Sequence, residues 1–207
     1  MTWIRTIDWA DAKGQLREAY DWQAAALGEP AEFTMLGSMY PAIVEERLRL
    51  YRVVENCESS LTQIERQAAA WVASLLNGTA HCASGLELKL RSLGVDVAAI
   101  DAIVANPTNP AVADERLGVI LRHAAKLTVS PIEMGEQDIA ELRSVGLDDL
   151  DIVDLNNMVA YYNYINRVVM GLGLRSVMTT THEATNAVPS SAVAGDDEGG
   201  AAHGQLS

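Results

Sequence analysis

Apolar residues recur every three to four positions along most of the chain, which is the spacing of amphipathic helices. Leu16, Tyr20 and Ala24 form one such stripe within a helix predicted over residues 13–26. The alternation of apolar and polar residues that is typical of β-strands extends over no more than a few positions. The pattern therefore predicts an all-α bundle of about eight helices, with a loop and short turn over residues 32–37. The other seven predicted helices cover residues 41–56, 64–77, 79–93, 95–104, 112–129, 135–145 and 148–172.

One predicted helix, over residues 64–77, is apolar on every side. Thr62 and Glu65 precede its apolar run with the spacing of a capping box, and Asn77-Gly78 ends it. A helix of this kind lies in the middle of a bundle or at a subunit interface. Because a monomer of this length would struggle to cover it, we expect a homo-oligomer, a dimer or a multiple of a dimer, that buries this region.

The composition changes sharply after about His182. Residues 183–207 are mostly Ala, Gly, Ser, Thr and Pro with four acidic residues, and they contain almost nothing large and apolar. Such a segment cannot bury enough surface to offset the entropy of ordering it. We therefore predict one folded domain over residues 1–182, followed by a disordered acidic tail over residues 183–207.

The charge is strongly acidic, with 15 Lys plus Arg against 28 Asp plus Glu and a formal net charge of −13. An acidic surface is repelled by nucleic acids and anionic membranes, so neither is an expected partner. The N-terminus lacks the features of a signal peptide, and no apolar stretch is long enough to span a membrane. These features predict a cytoplasmic protein. No spacing of His, Cys or acidic residues is typical of a metal site, so we expect neither a metal nor another cofactor.

Candidate chemistry centres on Cys82, three residues after the predicted helix N-cap Thr79. The backbone N–H groups at a helix N-terminus lower the pKa of a thiol, and the neighbouring His81 could meet a substrate from the adjacent side. This arrangement suits a nucleophilic or redox-active cysteine. The alternative is that Cys82 is a buried packing residue, as free cysteines often are.

The order of these features resembles one family. Leu61-Thr62 and Glu65-Arg66, an apolar run, Asn77 and a turn into Cys82 are followed much later by Tyr162-Asn163-Tyr164-Ile165-Asn166-Arg167. Over about residues 1–175 the sequence resembles the alkylhydroperoxidase AhpD-like and carboxymuconolactone decarboxylase superfamily, and its peroxidase-related branch in particular. The resemblance implies an all-α fold that assembles into dimers, trimers or hexamers through its central helices.

The resemblance also implies site residues, and most of them are substituted. In the peroxidase branch a Cys-x-x-Cys pair, a His four residues later and a Glu twelve residues before the pair carry out the chemistry. The peroxide-attacking cysteine corresponds to Cys82, and the residue before it to His81. The resolving cysteine corresponds to Thr79, the relay histidine to Leu86 and the relay glutamate to Gln67. The usual dithiol cycle is therefore absent, and the spacing of Cys57 does not establish it as a substitute resolving cysteine.

Three functions remain open on the sequence. In the first, Cys82 is oxidised by a hydroperoxide and reduced by an external thiol, as in an antioxidant peroxidase-like oxidoreductase. In the second, the chain is a cofactor-free lyase or isomerase like carboxymuconolactone decarboxylase, in which His81 and a tyrosine act on a small oxidised metabolite. In the third, it is a non-catalytic, degenerate family member. Tyr161, Tyr164 and Arg167 either line a pocket that orients an anionic or oxygen-bearing ligand or belong to a structural hydrogen-bond network.

Overall fold

The computed structural model describes residues 2–179, and within them all regular structure is helical. This confirms the predicted all-α fold. The tail predicted over residues 183–207 lies outside the described residues. Nine α-helices follow one another in the described chain: α1 (Gly14–Leu27), α2 (Glu32–Leu36), α3 (Pro41–Glu55), α4 (Gln63–Leu76), α5 (Ala80–Ser92), α6 (Val97–Ala105), α7 (Glu115–Val129), α8 (Glu136–Ser144) and α9 (Asp149–Leu172).

The largest differences from the predicted helices are at the start of α7 and at α2. The helix predicted from residue 112 begins at Glu115, because the Asp114 side chain accepts a hydrogen bond from the backbone N–H of Leu117 and caps it. The turn predicted over residues 32–37 contains the short helix α2, too short to show a helical period in the sequence. Buried Arg47 of α3 stabilises the end of α2 by donating to the carbonyl oxygens of Phe33 and Thr34.

Helix α4 lies at the centre of the bundle, packed against α5, α7 and α9. Thr62 and Glu65 form the predicted capping box: the Glu65 N–H donates to Thr62 Oγ1 over 3.2 Å, and the Thr62 N–H donates to Glu65 Oε2 over 2.7 Å. The side chains of residues 65–74 are all buried within a single chain. The expectation that one chain cannot cover this helix is wrong, since its neighbours α5, α7 and α9 supply the cover. Formation of a homo-oligomer remains a prediction, but the need to cover α4 no longer supports it.

A buried ionic network fixes the position of α4 against α9. Arg66 of α4 forms an ion pair with Asp154 of α9, and both side chains are almost fully buried. Asp154 also accepts a hydrogen bond from the Ser59 hydroxyl, in the connection between α3 and α4. Removing one partner of such a pair leaves an uncompensated buried charge, so the network holds these elements in a single arrangement.

The last described residues form a C-terminal strap, residues 174–179, which follows α9 and returns toward the start of α5. Leu174 is buried in the core. The Met178 N–H donates to Ser84 Oγ of α5 over 2.9 Å, and the Ser176 hydroxyl donates to Glu32 Oε2 of α2 over 2.6 Å. The strap thereby connects α9, α5 and α2 at one end of the bundle.

Candidate thiol site

Cys82 lies in the first turn of α5 and is only 7% exposed. Burial raises the pKa of its thiol to about 12, because the thiolate would lose its hydration. The expectation that the helix N-terminus lowers this pKa is therefore wrong. Thr79 does occupy the N-cap position with an extended backbone, but its hydroxyl does not cap α5. Cys82 is protonated at neutral pH in the resting protein.

Cys82 and His81 line the same small cavity, which we call the inner cavity. Its volume is about 20 Å³, close to the space that one water molecule occupies. Apart from Cys82 and His81, the wall is formed by aromatic and apolar residues. The lining residues are Phe33, His81, Cys82, Gly85, Leu86, Tyr161, Tyr162, Ile165 and Met178.

Tyr161 and Tyr162 line the inner cavity, and Tyr51 packs against Tyr161. The rings of Tyr161 and Tyr162 meet edge to face with centroids 5.8 Å apart, and the Tyr51 ring lies 5.9 Å from that of Tyr161. Burial raises the pKa of both Tyr161 and Tyr162 well above the ordinary value, and the negative charge of Glu55 adds to the effect. Their hydroxyls therefore stay protonated at neutral pH and remain hydrogen-bond donors.

A larger outer cavity, of about 210 Å³, lies next to the inner one. His81 and Met178 line both cavities, so the two spaces are separated by these side chains. Two exposed carboxylates, Glu29 and Glu32, give the outer cavity a negative rim. Its lining residues are Leu27, Glu29, Pro30, Ala31, Glu32, Met35, His81, Ser176, Val177 and Met178.

The imidazole of His81 is held by the C-terminal strap. His81 Nδ1 lies 2.9 Å from Ser176 Oγ, and the Ser176 hydroxyl lies 2.6 Å from the Glu32 carboxylate. The His81 side chain, 3% exposed, thus connects the strap to the wall of the inner cavity. Sequence reasoning missed Ser176 and Glu32, because they lie 95 and 49 residues from His81.

The substituted motif positions are all buried. Leu86 lines the inner cavity with an apolar side chain, so it cannot transfer a proton there. Thr79 is 1% exposed, and its hydroxyl has no hydrogen-bond partner within residues 2–179. Gln67 is fully buried and donates from Nε2 to Glu55 Oε2 over 3.0 Å, and Lys89 Nζ lies 3.2 Å from the same oxygen. A carboxylate from α3 therefore lies beside Gln67.

Tyr164 and Arg167 lie away from both cavities, although the sequence placed them as possible pocket residues. Tyr164 is 40% exposed. Arg167 is exposed and donates to the Asn163 side chain, which accepts from Asn77 at the end of α4 and donates to Thr128 of α7. Arg167 thus belongs to a network that joins three helices. Of the three predicted pocket residues, Tyr161 alone lines the inner cavity.

Two further observations bear on the site's chemistry. Cys57 and Cys82 are both free thiols, and Cys57 is partly exposed in the turn after α3. Among residues 2–179, no group of three or more His, Cys, Asp or Glu side chains has an arrangement that could hold a metal ion.

In the same part of the chain, every helix is too short or too polar to cross a membrane.

Comparison with solved structures identifies proteins of the same fold. One is the alkylhydroperoxidase AhpD core of an uncharacterized peroxidase-related protein from Ralstonia eutropha JMP134, with a TM-score of 0.76, 19% identity, and coverage of 91% of this chain and 97% of that one. Another is an uncharacterized peroxidase-related protein from Silicibacter sp. TM1040, with a TM-score of 0.68, 26% identity, and coverage of 81% and 88%.

The debrominase Bmp8 also shares the fold, with a TM-score of 0.69, 14% identity, and coverage of 86% of this chain and 94% of that one. A Cys-to-Ala variant of Bmp8 has been solved in complex with 2,3,4-tribromopyrrole. No protein-family model matches the sequence, and no curated protein matches it significantly.

The chain has the AhpD-like fold, and the resemblance to the AhpD-like superfamily seen in its sequence is confirmed. Fold neighbours at these identities include a debrominase and uncharacterized peroxidase-related proteins, so the shared fold does not specify one reaction.

Proposed function

We propose that this chain is a thiol enzyme that reduces a small uncharged hydroperoxide at Cys82 and is regenerated by an external thiol. The observation that carries the proposal is that Cys82, His81 and two protonated tyrosines line one cavity. A thiol, a possible proton acceptor and hydrogen-bond donors are the groups that cleavage of an O–O bond requires.

The shapes of the two cavities support a hydroperoxide of modest size. The inner cavity has room for a group no larger than the terminal –OOH. The outer cavity of about 210 Å³ could take the organic part when the Met178 side chain between the two cavities moves aside. The negative rim formed by Glu29 and Glu32 would repel an anionic substrate. We therefore favour a neutral substrate. The sequence had also allowed an anionic one, bound by Arg167.

Because Thr79 stands where a resolving cysteine would be, the Cys82 thiol must be regenerated by an external thiol. The Cys82 sulfur bonds to the terminal oxygen of ROOH, the O–O bond breaks, and the products are Cys–SOH and ROH. Because Thr79 cannot form a disulfide with Cys82, a small external thiol R′SH attacks the sulfenic acid and releases water. A second R′SH then reduces the mixed disulfide and yields R′SSR′ and the free Cys82 thiol.

The test is substrate consumption by the purified full-length chain in the presence of dithiothreitol or glutathione. Tert-butyl and cumene hydroperoxide are the first substrates. A sulfenic acid at Cys82 is detected by dimedone trapping and mass spectrometry. The Cys82→Ser variant should lose turnover and trapping, while the matched Cys57→Ser variant should keep both. Hydroperoxide turnover that survives Cys82→Ser would contradict the proposal, because Cys82 would then not be the group that reduces the substrate.

Thiol-dependent dehalogenation is a second candidate, favoured by one comparison. Bmp8, a debrominase of the same fold, was solved as a Cys-to-Ala variant with a brominated pyrrole. The outer cavity of about 210 Å³, next to the inner cavity that Cys82 lines, is the space here that could take such a ring. Bromide release from a brominated pyrrole, measured with the same two cysteine variants, separates this candidate from hydroperoxide reduction.

A further inference from the structure

We propose that Ser176 and Glu32 are positioning residues that hold the proton of neutral His81 on Nδ1, so that Nε2 is the proton acceptor for the Cys82 thiol. This inference rests on the proposed function, because it names the base of the same site. It assigns a role to the C-terminal strap and to an acidic residue of α2, neither of which belongs to the cysteine motif.

Proton counting supports the assignment. The Ser176 hydroxyl has a single proton and lies 2.6 Å from Glu32 Oε2, where the ionised carboxylate can only accept. Ser176 Oγ must therefore accept the 2.9 Å hydrogen bond from His81 Nδ1. In a neutral imidazole the other ring nitrogen, Nε2, then carries the lone pair.

Ser84 connects the backbone of His81 to the strap. The Ser84 hydroxyl donates to the His81 carbonyl oxygen over 3.0 Å and accepts from the Met178 N–H over 2.9 Å. The strap is thus anchored to α5 through Ser84 and to α2 through Ser176. The strap thus contributes to the orientation of the imidazole through the Ser176 hydroxyl.

A proton acceptor is needed because the buried Cys82 thiol is protonated at rest. In the step we infer, His81 Nε2 takes the thiol proton while the sulfur bonds to the terminal oxygen of ROOH. The O–O bond breaks, and the imidazolium returns the proton to the leaving RO⁻, so that Cys–SOH and ROH form and His81 is neutral again. The negative charge of Glu32, reached through Ser176, stabilises the transient imidazolium.

Other titratable groups also face this site and contribute to any pH dependence. They lie in the loop after α1, in α2, in α5 and in α9, and are Glu29, Glu32, Cys82, Tyr161 and Tyr162. The pH profile of one protein therefore does not isolate His81. The profiles are compared between proteins that differ only at residue 176, so that the contributions of the other groups cancel.

The first experiment measures the rate of Cys82 sulfenic acid formation with tert-butyl hydroperoxide from pH 5 to 9, in full-length protein that carries Cys57→Ser. Ser176→Ala should lower the rate about tenfold, as loss of an outer hydrogen bond to a functional histidine does. It should also move the acid limb of the profile to lower pH, because the imidazole becomes less basic. Ser176→Thr retains a hydroxyl and should recover the rate. Ser92→Ala, at an exposed serine of α5, is the matched control and should leave the rate unchanged.

The second experiment reads the tautomer without any reaction. Nitrogen-15 chemical shifts of the His81 ring should show the Nδ1–H tautomer in the wild type and a mixture in Ser176→Ala. Should Ser176→Ala fold poorly, the exposed substitution Glu32→Gln should shift the acid limb in the same direction by a smaller amount.

Two outcomes would overturn the inference. A wild-type His81 in the Nε2–H form refutes it whatever the activity, and so does a Ser176→Ala profile identical to that of the wild type. A wild type with the Nδ1–H tautomer but no sulfenic acid at any pH would refute the proposed function and the role of Nε2 as its base, while the positioning by Ser176 would stand.

Discussion

Gln67 donates a hydrogen bond from its side-chain amide to the carboxylate of Glu55, with 3.0 Å between Nε2 and Oε2. Gln67 lies on α4 and Glu55 at the end of α3, so the contact joins two helices near Tyr161 and Tyr162. Glu55 Oε1 and Gln67 Oε1 are both buried and have no hydrogen-bond partner among the described residues. The position where the family resemblance implies a glutamate therefore has a carboxylate beside it, supplied by another helix.

This contact predicts that Gln67→Glu, a change that would restore the family motif, destabilises the protein. Two carboxylates would then face each other in a buried place, where Lys89 pairs with only one of them. We expect a loss of about 3 kcal/mol in the free energy of unfolding, as for an uncompensated buried charge. Urea denaturation at pH 7 measures it, and the loss should shrink as the pH falls and a carboxylate becomes protonated.

The control for this prediction is the exchange of the two residues, Glu55→Gln with Gln67→Glu. The exchange restores one amide and one carboxylate across the same contact and should recover most of the lost stability. An exchange variant no more stable than Gln67→Glu alone would show that the penalty arises from something other than the facing charges.

The fold was predictable because its information is local in the sequence. The capping box of Thr62 and Glu65, the apolar stretch after it and Asn77-Gly78 define α4 without reference to any other helix. The expectation that a single chain cannot cover α4 failed for the opposite reason. Whether neighbouring helices cover α4 depends on packing between segments far apart in the chain, which hydrophobic periodicity does not contain.

The candidate site was only partly predictable. Cys82 and His81 are adjacent in the sequence and lie near the first turn of a helix that the pattern indicates. The site also includes residues from distant segments, namely Ser176, Met178 and Glu55. Nothing in their local sequence indicates which residues they contact. The thiol pKa was predicted in the wrong direction because a helix N-terminus is visible in sequence, while burial is a property of the packed structure.

The buried thiol gives a second prediction, that Cys57 is alkylated before Cys82 by iodoacetamide at pH 7. With the pKa of Cys82 at about 12, its thiolate fraction at pH 7 is about one part in 10⁵. Cys57 is partly exposed, so the reagent reaches it directly. Peptide mass spectrometry over time gives both rates, and Cys82→Ser should leave the Cys57 rate unchanged. Faster labelling of Cys82 would show that its thiolate is accessible and stabilised.

Asp151, at the start of α9, predicts a pH dependence of stability. Burial raises the pKa of Asp151, but hydrogen bonds from the backbone N–H groups of Asp148 and Ser60 and from the Ser60 hydroxyl outweigh it and hold the pKa below its ordinary value. A lowered folded-state pKa means that Asp151 stabilises the protein above its unfolded pKa of about 3.9 and loses this contribution as the pH falls below it.

The measurement compares the wild type with Asp151→Asn by urea denaturation from pH 7 to pH 3. We expect the variant to be less stable by about 1–3 kcal/mol near pH 7, the usual cost of losing hydrogen bonds to a charged group. The difference should stay constant down to about pH 5 and narrow below pH 4. A difference that is independent of pH would show that the carboxylate charge is not what stabilises the helix start.

The final prediction concerns access to Cys82 past Met178. The Met178 side chain lines both cavities, so replacing it with alanine should join the inner space of about 20 Å³ to the outer one of about 210 Å³. Because the strap's hydrogen bond to Ser84 comes from the Met178 backbone N–H, it should survive the change. We expect Met178→Ala to raise the rate of Cys82 alkylation by neutral iodoacetamide several-fold at pH 8.5. The loss of stability should be only about 1 kcal/mol, because Met178 is half-buried.

Met39→Ala, at a methionine that is 49% exposed and lines neither cavity, is the matched control and should leave the Cys82 rate unchanged. Equal Cys82 rates in Met178→Ala and the wild type would contradict the barrier role of Met178 and point to a path into the inner cavity that does not pass through the outer one.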